Sequence, residues 1–435
     1  MSFVKNVSIT FWSKITVFFI SLGTVVVITR SLGPEGKGIY SLVVLIPSLL
    51  ALFGNLGIGI SNIYFIGKRR FKEEDLASNS LIFGLIFGIF IISVFLIFSN
   101  FIHDLFFPNI DPVLLKIGIS AVPFLLLQSY FNSILLAKKK ITEYNLITIF
   151  NCTVLLFFSF LFLVILHQGV ETLIIIWILS GIITSCAAIG ITKKIINFNI
   201  KLNLDTLKES INYGIKGHFA NIFGFLNYRI DMFLVNLFIG AIQLGFYSVA
   251  VAVAETIWYI PNAVQTILFP RISSSTKEEA DKTTLLICRN TIAISAVLCF
   301  FLILFGKFLI SFLFSKAFLP AYKPLIILVP GIIMSSFSRI LAADLVGRGH
   351  PLKSTYAAFF GVLVNILLNL LFIPKLGIAG AALATSFSYS TSSIIRLYYF
   401  INITRTNIFD ILIIKKKDMK IYIALIKNFL KNRFR

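Results

Sequence analysis

Long apolar stretches recur along the chain and are separated by short polar loops. A helix of ~20 apolar residues crosses a bilayer core about 30 Å thick and satisfies its own backbone groups. The pattern therefore predicts an all-α polytopic membrane protein with twelve transmembrane helices. The expected spans run from Val7 to Arg30, Gly38 to Ile66, Ser80 to Phe101, Val113 to Ala137, Ile141 to Leu166, Glu171 to Thr192, Ile215 to Ile239, Gly245 to Phe269, Leu285 to Leu313, Pro324 to Val346, Ser354 to Ile373 and Ile378 to Ile401.

Composition and charge agree with this interpretation. Of the 435 residues, 58% are hydrophobic and 13% are charged, about half the charged fraction of a soluble domain. The net charge of +21 comes from cations that concentrate in alternate loops, such as Lys68 to Lys72 and Lys138 to Lys140. Because positively charged loops stay cytoplasmic, we expect a multi-pass protein of the bacterial cytoplasmic (inner) membrane with both termini in the cytoplasm. The charge is thus interpreted as a topology signal and not as a nucleic-acid-binding surface.

The first segment lacks the features of a signal peptide and is retained as a span.

An internal repeat divides the chain. The pattern GxxxxGxYS occurs at Gly33 and again at Gly240, and the proline of the fourth span, Pro123, recurs at the same 207-residue offset as Pro330. We therefore predict two parallel six-helix repeats around a central cavity, with residues 1–206 as the N-lobe and residues 207–403 as the C-lobe. Residues 404–435 are expected to form a basic amphipathic cytoplasmic tail. The motif itself is interpreted as a glycine turn between packed helices, with its tyrosine at the interface.

Four prolines lie inside predicted spans, and each removes a backbone hydrogen bond. They either bend their helices or are simply tolerated, as proline is in membrane helices. They are Pro47, Pro123, Pro261 and Pro330.

Ionisable residues deep in a span are the strongest candidates for a functional site. A charge at the bilayer centre costs about 2.5–3.5 kcal/mol on insertion scales and normally faces a cavity or a partner. We predict Arg229 and Arg339 as substrate-binding cations of the cavity, and Asp231 and Glu255 as coupling or charge-balancing acids. Arg229 and Asp231 are two residues apart and point to different helix faces, so Glu255 is the expected partner of Arg229. Which face lines the cavity is left open, and the alternative is an ion pair that only fixes helix packing.

Other cations have more ordinary interpretations. Lys14 is a further candidate for the cavity, and Arg30 either guides an anion at the mouth of the first span or anchors its helix. Asp344 and Arg348 have the spacing of an intrahelical ion pair. The remaining cations within spans lie near helix ends, where long side chains reach the interface; these are Lys216, Arg289, Lys307 and Arg396.

The sequence lacks motifs for metal binding, nucleotide binding and catalysis. The histidines and cysteines are scattered, so no metal is expected, and no P-loop or other cofactor motif is present. The predicted outer loops are short and hold no pair of acids. We therefore expect a protein that is not an enzyme.

The segments that carry these features resemble the polysaccharide and oligosaccharidyl-lipid flippases of the multidrug/oligosaccharidyl-lipid/polysaccharide exporter superfamily, which serve O-antigen, capsule or teichoic-acid synthesis. The resemblance covers nearly the whole chain. It is carried by Arg30 to Tyr40, Tyr228 to Asp231, Gly245 to Ala250, Pro261, Phe269 to Arg271, Asn365 to Asn369 and Pro374 to Ala382.

The resemblance implies a transporter that moves lipid-diphosphate-linked oligosaccharide repeat units from the cytoplasmic to the outer leaflet by alternating access. The implied partners are the polyprenyl-diphosphate sugar and membrane lipids, with a proton or sodium gradient and a polysaccharide polymerase with its chain-length machinery as further candidates. Two alternatives stay open. One is a multidrug or cation antiporter of the same fold, which predicts an acidic pocket, and the other is a membrane polysaccharide polymerase or acyltransferase.

Overall fold

The computed structural model describes residues 3–108 and 110–413, and this part of the chain is built from helices and connecting turns. The predicted tail lies outside the described residues from position 414 onward. The helices are α1 (Phe3–Gly54), α2 (Ile58–Lys68), α3 (Glu73–Ile97), α4 (Ser99–Phe106), α5 (Pro112–Ile119), α6 (Val122–Ala137), α7 (Ile141–Ser159), α8 (Val170–Ile195), α9 (Leu204–Ile239), α10 (Ala241–Glu255), α11 (Tyr259–Ser274), α12 (Lys277–Phe314), α13 (Tyr322–Gly347), α14 (Pro351–Leu376), α15 (Ile378–Thr404) and α16 (Ile408–Leu412).

Ten segments of the described chain are long and apolar enough to cross a membrane. The first, Ile9–Gly54, has 46 residues, about twice the length that one crossing needs. It is broken at Gly33, whose φ of 66° and ψ of −172° separate two helices. The helix α15 has 27 residues and is not among the ten. The all-helical, polytopic membrane architecture is thus confirmed, whereas the count of twelve spans in two repeats stays a prediction.

The eighth predicted span is interrupted just before Pro261. A proline ring clashes with the carbonyl group four residues earlier, which for Pro261 is that of Ile257. In the structure α10 ends at Glu255, a 3₁₀ turn covers Thr256–Trp258, and α11 starts at Tyr259. The break sets the direction of the Glu255 and Trp258 side chains, both of which lie in the candidate site below.

Serines and one glycine hold the helices of the second predicted half together. The Ser388 hydroxyl of α15 contacts the Asn227 side chain of α9 and lies 2.8 Å from the carbonyl oxygen of Gly361 in α14. A Cβ atom at Gly361 would lie 2.0 Å from the Ser392 hydroxyl oxygen, so a side chain at this position requires that hydroxyl to move away. Because the faces of α15 that contact α9 and α14 are polar and small, this helix is less apolar than its neighbours.

The two predicted halves meet along two seams. In one seam α1 packs against α10, and its Phe18 ring contacts that of Tyr259 at the start of α11. In the other seam α2 packs against α9. The second seam closes at the ends predicted to be cytoplasmic, where the Tyr64 and Tyr213 rings stack at 4.1 Å between centroids and Arg70 pairs with Glu209 at 3.4 Å.

Candidate functional site

A cavity of about 320 Å³ lies among five helices and contains two arginines. Arg339 comes from α13 and Arg396 from α15, and α9, α11 and α14 complete the wall. Asn221, Gln265 and Ser354 add neutral polar groups to the lining. All of the lining residues belong to the second predicted half. The walls of this cavity thus come from one half, and Asn221 also lines the cavity between the halves described below. The predicted place of Arg339 in the central cavity stays a prediction.

Aromatic rings and one amide hold the guanidinium of Arg339. Its central carbon lies 4.0 Å from the centroid of Trp258 and 4.9 Å from that of Tyr228, both within the range of a cation–π contact. Its Nη1 donates a hydrogen bond of 2.9 Å to the side-chain oxygen of Asn262. Its Nε is buried and has no hydrogen-bond partner in the described part of the chain. One N–H of Arg339 is thus left without an acceptor.

Two serine hydroxyls orient Arg396. Its Nη1 donates to Ser338 at 2.7 Å and its Nε donates to Ser354 at 3.2 Å. The side chain points into the same cavity as Arg339, so the prediction that Arg396 reaches the membrane interface is wrong. The small Ser338 and Ser354 side chains leave room for the guanidinium inside the bundle. The sequence position of Arg396 alone does not distinguish the two directions.

The cavity carries positive charge that no acid balances. Among residues 3–108 and 110–413, no carboxylate forms an ion pair with Arg339 or Arg396. Two guanidinium groups present planar forks of N–H donors, a shape that matches phosphate and carboxylate oxygens. The arrangement is suited to an anionic group with several oxygen atoms.

The deepest cation of α9 is paired. Arg229 Nη1 and Nη2 donate to the two carboxylate oxygens of Glu255 at 2.7 and 2.9 Å, which confirms the predicted pairing. The two side chains keep 30% and 19% of their surface exposed. In this state Arg229 is engaged by Glu255, and its role as a substrate-binding cation stays a prediction.

Asp231 lies on another face of α9 and is completely buried. Its carboxylate accepts hydrogen bonds from the Tyr247 hydroxyl at 2.6 Å, the Thr385 hydroxyl at 2.8 Å and the Met232 backbone N–H at 2.8 Å. The separation of Arg229 and Asp231 onto different partners agrees with their two-residue spacing. The proposed role of Asp231 as a coupling acid stays a prediction.

Two further candidates lie outside the cavity of Arg339. Lys14 Nζ donates to the Thr266 hydroxyl at 3.1 Å across the seam between α1 and α11. Arg30 Nε donates to the carbonyl of Leu313 at 2.8 Å, and its Nη2 donates to the carbonyl of Phe312, at the end of α12. Helix C-terminal carbonyls attract cations, so these contacts favour the anchoring alternative for Arg30.

An Arg30→Ala variant is expected to lose about 0.3–1 kcal/mol of stability, because the last turn of α12 loses a cationic cap. Arg30→Lys should recover part of this loss. Thermal unfolding of the two purified variants beside the unaltered protein measures the effect. A stability equal to that of the unaltered protein would contradict the anchoring role.

A second cavity, of about 380 Å³, lies between the two predicted halves. Its polar lining includes Asn55, Ser129, His218 and Asn221, and none of its described lining residues is Lys, Arg, Asp or Glu. This cavity therefore lacks the formal positive charge that was expected between the halves, and a smaller cavity of about 190 Å³ between α1 and α10 is lined by the acid Glu255. His218 is buried and its Nε2 is 2.7 Å from the carbonyl oxygen of Leu52, so it joins the two halves.

Comparisons with known proteins place the chain in a family. Residues 27–323 match the family described as polysaccharide biosynthesis protein. The chain belongs to this family. Its fold is similar to that of the lipid II flippase MurJ in an inward closed conformation, with a TM-score of 0.76, 19% identity and coverage of 94% of this chain and 89% of that one.

Two relatives of this polysaccharide biosynthesis family member are named by function. A probable low-salt glycan biosynthesis flippase of Haloferax volcanii is 24% identical over 203 residues, which cover 46% of this chain and 43% of the relative. A candidate O-antigen transporter of Shigella flexneri is 23% identical over 407 residues, which cover 89% of this chain and 94% of the relative. The chain thus matches less than half the length of the archaeal relative and nearly all of the bacterial one.

The burial of one charged residue was not predicted from the sequence. Lys37 lies inside the first GxxxxGxYS motif and is 9% exposed. Its Nζ donates to the Ser41 hydroxyl at 3.0 Å. The sequence places Lys37 in a predicted outer loop, where a solvated lysine is expected. Its burial arises from the packing of helices around this part of α1, which the local sequence does not show.

Proposed function

We propose that this family member is a transporter, and not an enzyme, that moves a lipid-diphosphate-linked oligosaccharide repeat unit from the cytoplasmic to the outer leaflet for the synthesis of a surface polysaccharide. One observation carries the proposal: Arg339 and Arg396 line one polar cavity and no described carboxylate pairs with either. A diphosphate supplies the negative charge and the oxygen acceptors that this cavity lacks.

The depth of the cavity suits loading from the cytoplasmic leaflet. Arg339 is eight residues before the end of α13 and Arg396 is eight before the end of α15, about 12 Å along each helix. Both ends are predicted to be cytoplasmic. The head group then lies between helices while the lipid tail stays in the bilayer, and the surrounding N–H groups replace the water of the phosphates.

We further propose that the chain crosses the cytoplasmic membrane twelve times, in halves of residues 1–206 and 207–403 that rock in alternating access. The two seams support this arrangement, because each joins a helix of one half to a helix of the other. The membrane potential or an ion gradient is the proposed energy source, with Asp231 and Glu255 as the candidate acids.

An antiporter for cationic drugs is less well supported by the described cavities. It needs an acidic pocket, yet the two predicted acids are occupied: Glu255 binds Arg229, and Asp231 accepts three hydrogen bonds. Of the two described cavities between the halves, one has no charged residue in its lining and the other has Glu255, which Arg229 already binds.

Deletion of the gene in its host tests the proposal. The lipid-linked oligosaccharide is expected to accumulate in the cytoplasmic leaflet, where an added impermeant glycosidase or lectin cannot reach it in intact spheroplasts. Expression of the unaltered chain should restore access. Undiminished appearance of the oligosaccharide in the outer leaflet of the deletion strain would overturn the proposal, and an altered polymer length with normal sidedness would favour a polymerase instead.

A further inference from the structure

The outer part of the seam between α1 and α10 is closed by two matching backbone contacts. A Cβ atom at Gly38 would lie 1.8 Å from the carbonyl oxygen of Ala241, and one at Gly245 would lie 1.9 Å from the carbonyl oxygen of Pro34. The 207-residue offset of the sequence repeat exchanges these two contacts. They therefore resemble an isologous contact around a two-fold axis. We call Pro34, Gly38, Ala241 and Gly245 the glycine clasp.

The first glycine of each motif makes the turn that the clasp needs. Gly33 and Gly240 have φ values of 66° and 84°, in the region that favours glycine. The second glycine of each motif permits the helices to touch backbone to backbone. The clasp is consequently an all-or-none contact, because any side chain at Gly38 or Gly245 prevents the approach.

A buried lysine lies next to the clasp. Lys37 precedes Gly38, and its ammonium has the Ser41 hydroxyl as acceptor and the Tyr40 ring centroid at 5.7 Å. Among the described residues no carboxylate forms an ion pair with Lys37. Burial of a charge without a counter-charge is costly. The closed clasp thus holds Lys37 in an unfavourable environment.

The nearest charged groups increase this cost. Arg229 repels Lys37 electrostatically, and both carboxylate oxygens of Glu255 are already bound to Arg229. The Asp231 carboxylate also acts electrostatically on Arg229 but is bound by two hydroxyl groups. Among the described residues the Lys37 charge therefore has no ion-pair partner. A phosphate-bearing group would balance it and would supply oxygen acceptors to the ammonium.

We propose that Lys37 is a second anion-binding residue, on the outer side, which the glycine clasp hides in this state and exposes to a phosphate-bearing head group when the clasp opens. The inference rests on the proposed function. Phosphate oxygens are offered both by the diphosphate of a transported lipid and by anionic membrane lipids. The substrate diphosphate is the proposed occupant, since the arginine cavity delivers it from the other side.

Chemical modification of Lys37 tests whether the closed clasp shields this residue from solvent. The full chain in phosphatidylcholine vesicles is treated with an impermeant acetylating reagent, and peptides are quantified by mass spectrometry. Gly245→Val should raise acetylation of Lys37 by about tenfold, because it prevents closure. Gly181→Ala is the matched control, since a Cβ at Gly181 meets nothing within 4 Å. Exposed Lys323 reports on the reagent. Should Gly245→Val not fold, Gly38→Ala replaces it. Equal acetylation in the clasp variant and the control overturns the inference.

Protection of Lys37 from acetylation identifies the anion that binds it. Inorganic pyrophosphate should slow the acetylation of Lys37 in the Gly245→Val variant but not that of Lys323. The same measurement is made in vesicles that contain phosphatidylglycerol and no pyrophosphate. Protection by phosphatidylglycerol alone overturns the assignment to the substrate diphosphate and makes a membrane lipid the occupant. Absence of any protection overturns the anion-binding role.

Measurements of surface polymer distinguish failure of this inference from failure of the proposed function on which it rests. Lys37→Met should lower the surface polymer by about tenfold, the effect of losing ~1.4 kcal/mol, whereas Lys37→Arg keeps the charge and should retain most of it. Normal polymer with Lys37→Met, together with loss of polymer in Arg339→Ala, rules out the anion-binding role of Lys37 and leaves the proposed function intact. Normal outer-leaflet oligosaccharide in the deletion strain removes the proposed function itself.

Discussion

Cells that carry Arg339→Ala in place of the unaltered protein are expected to lose their surface polysaccharide while keeping folded protein in the membrane. A charged hydrogen-bond donor contributes about 1.5–3 kcal/mol to binding of a phosphate group, so flipping should fall ~10- to 100-fold. Stability should change by about 1 kcal/mol or less, because the lost cation–π contacts are offset by removal of an N–H that is buried without an acceptor. Immunoblots of membranes and quantification of surface polymer measure the two effects.

Two variants control this experiment. Arg339→Lys keeps the charge but not the planar fork, so it should recover only part of the flipping. Arg69→Ala removes an exposed arginine at the end of α2 and should leave polymer at its ordinary level. Normal polymer in Arg339→Ala would rule out the role of this guanidinium in head-group binding.

The second large effect is expected at the pair of Arg229 and Glu255. Arg229→Ala leaves the Glu255 carboxylate partly buried without its partner, and we expect a loss of about 2–3 kcal/mol of stability, at the low end for a broken buried pair because both side chains keep some exposure. Glu255→Ala should cost a similar amount. The thermal unfolding of each purified variant gives the comparison.

Replacing both partners separates packing from transport. The double variant Arg229→Met with Glu255→Leu should regain most of the lost stability, because neither charge is then left alone. Transport should stay low, since the predicted substrate cation is still missing. A stable double variant that flips at the ordinary rate would show that the pair serves packing alone.

The sequence allowed contacts between neighbouring turns to be predicted. Asp344 and Arg348, four residues apart, pair at 2.7 Å, and Arg348 also binds Asp281 at the same distance. The position of Pro261 anticipated the interruption between α10 and α11. The Asp344–Arg348 pair and the interruption before Pro261 are local, so residue spacing is sufficient to anticipate them, whereas the contact of Arg348 with Asp281 on α12 was not predicted. The pairing of Arg229 with Glu255 needed one further step, the cost of isolated charges in lipid.

Contacts that depend on the direction of a side chain could not be predicted. Arg396 lies near a helix end, and a long side chain there reaches either the interface or the interior. Its direction is decided by the space beside Ser338 and Ser354, which comes from three helices packing together. The burial of Lys37 could not be predicted for the same reason, because it arises only when other helices pack around this part of α1. Arg30 was left with two alternatives for the same reason.

The arginines of the candidate site have no counterpart in the other half of the chain. At the 207-residue offset, Arg339 corresponds to Asn132 and Arg396 to Ile189. Two equivalent cavities would accept two cargo molecules at once, whereas among the described residues the two arginines line a cavity in one half, and Lys37 is proposed to receive the same head group later, when the clasp opens. Saturation with a labelled lipid diphosphate should therefore reach a molar ratio of one per polypeptide, and each rocking cycle should deliver one repeat unit.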